Sequence, residues 1–384
     1  MRQIVCLSTS NFHPYPTRKQ NVMRRLPDAR ILYFDPPVSY LAPLKDKAAK
    51  ARLFAYKQSG EQAEPHITVY ALPPVLPFAN KFRCVNRLNQ RRLAKYIRRR
   101  MAEQGFTQPL LWCYSPSSAD ILSRLPHRAL VYDCVDRHSA YAGIIDPAVV
   151  DGMERDLARA ADMVFCTAQG LYETLIGYNP RTCMIANGVN YELFAQAADD
   201  NDVIDSSAKQ KPVFGFVGML QDCIAYDYVL ALADAYPAGE IRMIGRALPG
   251  VDISALRQRT NIKLLGLMPQ RDLPAQMREF DVCLNIFAPG RLSRDVSPLK
   301  FYEYLATGKP VVSTREPLQV GDYADMIYIA DDREGFVRQC RAALAESGSE
   351  KKRLRIAAAK AASWDNRVAE MVAKLAAEHI WEDI

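Results

Sequence analysis

The sequence predicts an α/β protein of two Rossmann-like domains facing a central cleft, on three observations. Short apolar runs of strand length alternate with longer polar-patterned stretches, the rhythm of parallel βαβ units covered by helices. That rhythm pauses once, at the polar, weakly patterned stretch 195–211 (AQAADDNDVIDSSAKQK), and then restarts. A length of 384 residues, 49% apolar and 24% charged, is globular composition of a size for two domains rather than one or four.

In the first domain, residues 1–195, the runs Ile4–Leu7, Ile31–Phe34, Ile67–Ala71, Leu110–Cys113, Ala129–Asp133 and Met163–Cys166 are the predicted strands. The stretch 195–211 reads as the linker, with a long surface loop inside one domain as its alternative. The second domain, residues 212–350, opens on PVFGFVGML (212–220), a strand entering a glycine turn, and Tyr226–Ala235 reads as a helix. IRMIG (241–245), IKLLG (262–266), DVCLNIF (281–287) and KPVVST (309–314) are four more strands, with helices between them that include Leu299–Ala306. Ligands of open α/β sheets sit beyond the carboxyl ends of the strands, which directs attention to the loops there.

Composition narrows the function. No run has the length of a membrane span, and IVCL at the start is too short for the core of a signal peptide, so a cytoplasmic protein is expected. Nine scattered cysteines without a C-x-x-C pair read as buried thiols in a reducing compartment. With only five scattered histidines, no metal site is expected. The net charge of +7 is unevenly spread: residues 1–110 hold 20 Lys+Arg against 6 Asp+Glu, leaving 30 against 37 for the rest. A basic half of this kind seeks an anionic partner: a lipid head group, a phosphorylated acceptor or nucleic acid. Within it, Val85–Met101 places Val85, Leu88, Leu93, Tyr96, Ile97 and Met101 on one helical stripe that packs on the sheet. Arg87, Arg91, Lys95, Arg98 and Arg99 lie mainly elsewhere around that helix, joined by Lys45, Lys47, Lys50, Arg52, Lys57, Lys81 and Arg83. Each cation near an anionic leaflet contributes about 1 kcal/mol, which predicts salt-reversible association with a membrane face.

The most informative segment is PGRLSRDVSPLKFYEYLATGKPVVST (289–314). On a helix beginning near Ser297, with Ser297 as N-cap and Pro298 in the first turn, Lys300 and Glu303 share one face. A helix N-terminus with a lysine in its first turn suits a diphosphate, and a glutamate one turn further on can accept two hydrogen bonds from a ribose. An ordinary amphipathic helix with a surface Lys–Glu pair is the competing reading.

DVSPLKFYEYLATGKPVVST resembles the donor-binding signature of GT-B glycosyltransferases, especially family 4, in which two glutamates are separated by seven residues. Glu303 matches the second glutamate, and Asp295 stands at the first, a shorter carboxylate. IANGVNYELF (185–194) is similar to the segment preceding the linker in that group, and NIKLLGLMPQRDLPAQMREFDVCLNIF to the stretch whose turn holds the nucleobase, here Gly266–Pro269 with Met268 in it. FGFVGML, with Gly218, resembles the glycine loop under the donor phosphates. ASWDNRVAEMVAKL resembles a terminal helix that returns toward the N-terminal domain, which makes 351–384 a third, helical segment. The resemblance covers most of residues 160–375. It implies that Glu303 binds the donor ribose and Lys300 the diphosphate, with Gly218, Gly266, Met268, Asp295 and Ser297 around them. The Arg and Lys that many of these enzymes carry after the glycine loop are missing from MLQDCIAYDYV, so Lys300, Arg246, Arg291 and Arg294 would supply the positive charge.

In the first domain, LVYDCVDRHSAY (130–141) puts Asp133, Asp136 and His138 just past a buried strand. It looks like the corresponding segment of teichuronic-acid-type and xanthan-type glycosyltransferases; in the latter an aspartate matching Asp136 is the general base. An acceptor hydroxyl must lose its proton as it attacks the anomeric carbon, and a desolvated carboxylate can take it. Helix capping is the competing role for Asp136, a structural turn for Asp133, and His138 is a possible second base. The opening loop STSNFHPYPTRKQN (8–21) places Arg18 and Lys19 as candidate acceptor contacts. With Asp136 as base the anomeric configuration inverts, the reading favoured here; if the family 4 resemblance governs, it is retained. No D-x-D stands where a metal-bound diphosphate needs one, so no essential metal or other cofactor is expected, the nucleotide-sugar being a substrate.

These readings make the partners a nucleoside-diphosphate sugar, a lipid-linked glycan acceptor and an anionic membrane surface at the inner face. A nucleotide-sugar 2-epimerase on the same fold is the first rival, disfavoured by the basic half. A nucleic-acid-binding protein lacks any recognition pattern here, and a dinucleotide dehydrogenase lacks a G-x-G-x-x-G.

Overall fold

The computed structural model describes residues 1–45, 49–141, 143–198, 210–290, 293 and 295–382. They form two compact units, residues 1–186 with 368–384, and residues 187–367.

The first unit is built on eight strands: β1 (Arg2–Leu7), β2 (Ala29–Asp35), β3 (Glu61–Glu64), β4 (Ile67–Ala71), β5 (Leu110–Cys113), β6 (Ala129–Cys134), β7 (Met163–Cys166) and β8 (Thr182–Met184). Their order is β3-β4-β2-β1-β5-β6-β7-β8, parallel throughout except for the β3–β4 pair. Every residue of β5, β6 and β7 is buried, which is why β5 and β7 read as unbroken apolar runs, and β6 as one broken only by Asp133, rather than as alternating strands. Two strands escaped the sequence reading. β3 is EQAE, a polar strand at one edge, and β8 is the three-residue TCM at the other; neither carries an apolar run. Fully buried Trp112 stacks on Phe165 with ring centroids 6.0 Å apart, and each such side chain contributes roughly 1.5–3 kcal/mol.

Helix α1 (Arg18–Arg25) follows β1, α2 (Arg83–Glu103) follows β4, and α3 (Pro147–Ala160) follows β6. In α2 the expected stripe holds for Leu93, Ile97 and Met101 but not at the start of the helix. Leu88 is exposed, and Asn86, Asn89 and Gln90 are buried in the stripe's place. These amides have specific partners: Asn86 Nδ2 donates to Ser117 O at 2.9 Å, and Asn89 exchanges hydrogen bonds with Leu76 N and O at 2.9 and 3.0 Å. A buried amide with partners is tolerated, and hydrophobic periodicity cannot announce it. The charge of α2 is also partly neutralised. Arg83 pairs with Asp120 at 3.0 Å and Asp156 at 2.6 Å, and Arg99 and Arg100 both reach Glu103 at 2.8 Å.

The second unit has six parallel strands: β9 (Val213–Val217), β10 (Glu240–Ile244), β11 (Ile262–Gly266), β12 (Val282–Asn285), β13 (Val311–Thr314) and β14 (Tyr328–Ala330). The order is β11-β10-β9-β12-β13-β14, so β9 sits centrally and its carboxyl end is a switch point. β14, three residues long, is the one the sequence reading lacked. Helices α4 (Tyr226–Ala235), α5 (Leu299–Ala306), α6 (Arg333–Leu344) and α7 (Glu350–Ala361) belong to this unit, while α8 (Trp364–Ala377) runs from it into the first.

The division between units falls at 186/187, earlier than the 195–211 stretch, of which 199–209 lie outside the described residues. Val189 forms a bridge with Ser363, and Phe194 and Ala197 are buried, so the segment before the polar stretch is already part of the second unit's packing. The helical segment read as 351–384 likewise divides. Buried Arg355 of α7 donates from Nε and Nη2 to Gly308 O at 3.0 and 2.9 Å and pairs with Glu346, anchoring α7 at the end of α5. Only residues 368–384 go with the first unit, where Arg2 Nε and Arg128 Nη1 donate to Trp381 O and Ile380 O, both at 2.7 Å. Among the described residues no helix is long and apolar enough to cross a membrane.

Candidate functional site

In the second unit the turns after β9 and β10 interlock. Gly218 and Gly245 both have positive φ, 150° and 155°, and a Cβ on Gly245 would lie 1.8 Å from Gly218 O. Only glycine permits that approach. Gly218 N donates to Ile244 O at 2.8 Å and Leu220 N to Arg246 O at 3.0 Å, fixing the loop above the β9 carboxyl end. Lys300, in the first turn of α5, lies against this loop: a Cβ on Gly218 would meet Lys300 Nζ at 2.7 Å. The ammonium sits 4.2 Å from the Phe216 ring centroid and 4.8 Å from that of Phe287. It makes no hydrogen bond or ion pair with the described residues. Burial pushes its pKa down to about 8, against the pull of Cys223 and Glu303.

Glu303, one turn further along α5, is buried, and burial raises its carboxyl to about 7, opposed by Gln270 and Lys300. Its Oε1 accepts from Gln270 Nε2 at 3.0 Å, and Gln270 Oε1 accepts in turn from Asn190 Nδ2 at 3.3 Å. Gln270 follows the Gly266–Pro269 turn, which is tied back to the glycine pair by Gly245 N donating to Gly266 O at 2.8 Å. Gly266 is exposed and Met268 half-buried on that turn. The structure therefore gathers Gly218, Lys300, Glu303 and the Gly266–Gln270 turn around the switch point. Gln270 was missed because a single glutamine after a turn carries no pattern.

Helix α5 corrects one expectation. It begins at Leu299, with Pro298 extended at the cap and no side-chain cap bond, so Ser297 is not the N-cap. Ser297 Oγ instead accepts from Asn187 N at 3.1 Å, and Ser297 O from Asn187 Nδ2 at 2.6 Å. The hydroxyl is taken by a residue 110 positions away, a partner no local capping rule contains. Asn187 Oδ1 is itself buried with no hydrogen-bond partner. Asp295 is buried beside this segment, and Arg246 is exposed with its side chain making no hydrogen bond or ion pair with the described residues. Arg291 and Arg294 lie outside the described residues. No group of three or more His, Cys, Asp or Glu among the described residues is placed to hold a metal ion.

In the first unit, Asp136 follows β6 and is half-buried. It caps no helix: the turn His138–Ala140 has no side-chain cap, and α3 is capped by Asp146. Its Oδ2 accepts from the Tyr141 hydroxyl at 2.7 Å. Lys19 lies in its electrostatic reach, with a pKa lowered by burial against the pull of Asp136 and Asp133. The His138 ring meets Tyr141 edge to face at 5.4 Å; its Nε2 is sealed without a partner, and burial drives its pKa down to about 4. Asp136 and His138 thus both meet Tyr141, the carboxylate through a hydrogen bond and the imidazole edge to face.

The two expected acceptor contacts are placed differently from the expectation. Arg18 is 1% exposed, and its Nε donates to both oxygens of fully buried Asp133 at 2.9 and 3.0 Å. Its Nη1 donates to Ile185 O and Ala186 O at 2.9 and 3.2 Å. With its donors thus committed, Arg18 is an internal brace, and Asp133 its counter-ion rather than a turn residue. Lys19 is also buried, its nitrogen 5.8 Å from the Tyr114 ring centroid. Both point inward because α1 packs on the sheet through its first turn, where the chain around 18–23 is buried residue after residue.

This architecture is the GT-B fold. Comparison with solved structures finds it along nearly the whole chain: the E. coli trehalose-6-phosphate structure bound with UDP-2-fluoro glucose has a TM-score of 0.71 at 12% identity, covering 97% of this chain and 98% of that one. A sucrose-phosphate synthase from Thermosynechococcus elongatus has a TM-score of 0.69 at 14% identity, covering 99% of both chains. In sequence, the chain is similar to a Bacillus subtilis (strain 168) protein provisionally assigned as the teichuronic acid biosynthesis glycosyltransferase TuaH. The two are 24% identical over 258 residues, 62% of this chain and 64% of that protein's length. No family model matches the chain.

Proposed function

We propose that this chain is a glycosyltransferase that moves a sugar from a nucleoside-diphosphate sugar to a lipid-linked acceptor in cell-surface polysaccharide synthesis. The observation that carries the reading is the Lys300 ammonium under the Gly218 loop with the Glu303 carboxyl one turn away, both displaced in pKa by burial. In this reading the Gly218 loop and Lys300 take the diphosphate, Glu303 the ribose hydroxyls, and the Gly266–Gln270 turn, with Met268, the base. The relatives support the donor class: the E. coli structure holds a UDP-sugar analogue, and the B. subtilis protein is named for a polysaccharide pathway.

Asp136 is the general base. It takes the acceptor hydroxyl proton as that oxygen attacks the anomeric carbon; the bond from carbon to phosphate oxygen breaks, and the nucleoside diphosphate leaves with its charge stabilised by Lys300. One carboxylate and one displacement give inversion. The basic first unit holds the enzyme at the inner face of the membrane, where such an acceptor resides. Among its exposed cations are Lys81, Arg91 and Lys95.

A thermal-shift screen against UDP, GDP, ADP and their sugars tests the donor reading, since a bound ligand raises the melting temperature by mass action without any acceptor. A selective shift by one nucleoside diphosphate is expected; no shift by any of them overturns it. With the donor known, the anomeric configuration of the product, read by NMR, decides inversion, and retention would remove Asp136 from the mechanism. Release of free nucleoside diphosphate without acceptor would favour an epimerase. Co-sedimentation with anionic vesicles, fading as salt rises, is the expected membrane result, and equal binding to neutral vesicles contradicts it.

A further inference from the structure

We propose that a cavity of about 530 Å3 in the first unit binds the hydrocarbon chain of a lipid whose head group is a phosphate. It lies within the roughly 300–1,000 Å3 range of small-molecule sites. Two of the loops that wall it, those leaving the carboxyl ends of β2 and β4, are joined by a short ladder: Val75 N donates to Val38 O at 3.0 Å and Tyr40 N to Val75 O at 3.1 Å. Leu41, Val75, Leu76, Phe78, Leu93 and Ile144 make most of the lining apolar, with amides such as Asn86 and Gln90 toward α2. Asn89 clamps Leu76 from the floor through both of its backbone polar groups, so the wall is preformed.

The mouth is costly to keep. Leu41 is 43% exposed and Ile144 56%. Phe78, also exposed, has a φ of 68°, a region a bulky side chain avoids, held there as its carbonyl accepts from Lys81 N and Phe82 N at 3.0 and 2.9 Å. Exposed apolar surface and a strained aromatic at one opening mark a binding site more readily than a stability device. Two cations stand next to residues of the lining. Lys81 follows the lining residue Asn80, and Arg92 Nη2 donates to the hydroxyl of Tyr40, which stands between the lining residues Ser39 and Leu41. An apolar cleft with a cationic rim is complementary to a chain ending in a phosphate. A free sugar would leave the apolar lining unmatched, and a cationic amphiphile would meet like charge.

The inference rests on the lipid-linked acceptor proposed above, but chain binding requires no donor, so the two can fail separately. The full-length protein is titrated calorimetrically with dodecyl phosphate below its micelle concentration, with inorganic phosphate and dodecyltrimethylammonium as comparisons. Saturable one-to-one binding of dodecyl phosphate is expected, with both comparisons weaker by about tenfold or more. Ile144→Asp and Leu41→Asp, at exposed positions on two different loops, should each weaken it about tenfold while nucleoside-diphosphate binding and melting temperature stay unchanged. Absence of binding, equal binding of dodecyltrimethylammonium or of inorganic phosphate, or unaltered affinity in both variants would overturn the proposal. If dodecyl phosphate fails while a nucleoside diphosphate still binds, the lipid site falls and the donor reading stands.

Discussion

Each unit sets a cation beside a buried carboxylate near the carboxyl ends of its strands, Arg18 fully buried in the first and Lys300 half-buried in the second, and the two pairs are built differently. In the first, Arg18 and Asp133 close two hydrogen bonds, and the guanidinium spends further donors on two backbone carbonyls. In the second, Lys300 faces two aromatic rings with no hydrogen-bond partner among the described residues, and Glu303 has one amide. A buried charge with its partners in place is a structural brace; a partly buried charge without them is placed to meet one from outside the chain. The pKa directions agree. Contact with Asp133 raises Arg18 despite burial, whereas Lys300 is pushed down to about 8 and Glu303 up to about 7, each toward its neutral form. The charge of a diphosphate and the hydroxyls of a ribose would reverse both shifts.

The comparison breaks most visibly at the brace. Arg18→Leu leaves Asp133 buried and unpaired, so a loss of about 3–5 kcal/mol in unfolding free energy is expected by denaturant titration. Arg18→Leu combined with Asp133→Leu should recover much of it. A stable single variant would mean that the pair is not the anchor its geometry indicates. Next comes the proposed base: Asp136→Asn should lower turnover roughly 100-fold or more in a transfer assay and leave nucleotide affinity intact. Normal turnover would assign Asp136 to structure.

On the donor side, Lys300→Ala and Glu303→Ala should each weaken nucleoside-diphosphate binding by about 1–3 kcal/mol in calorimetry, with smaller stability losses than at Arg18. Unchanged affinity in both would erase the distinction between the two pairs. The smallest effect is on pH. In the proposed donor site, Glu303 would accept from both ribose hydroxyls only as a carboxylate, a form lost as pH falls through about 7. Lys300 would likewise attract the diphosphate only as an ammonium, a form lost as pH rises through about 8. Affinity for a nucleoside-diphosphate sugar, which does not itself titrate there, should peak between these values and fall on each side, approaching about tenfold per further pH unit. A flat profile from pH 6 to 9 would detach both groups from the donor.

The sequence by itself determined the two parallel sheets, because strands covered on both faces are mostly apolar, and β5, β7, β9 and β6 apart from Asp133 announce themselves that way. It also determined that Lys300 and Glu303 share a helical face, since a spacing of three residues fixes that wherever a helix forms. Edge strands such as EQAE and TCM stayed hidden, being paired on one side only and free to be polar. What only the tertiary structure decided is which partner each polar group has: Asp133 for Arg18, 115 residues away; Asn187 for Ser297, 110 away; Gln270 for Glu303, 33 away. Periodicity and capping rules describe neighbours within one turn or one strand. The choice between a brace and a binding group is made by contacts across the fold, where burial forces every charge either to find its partner in the chain or to await one from solution.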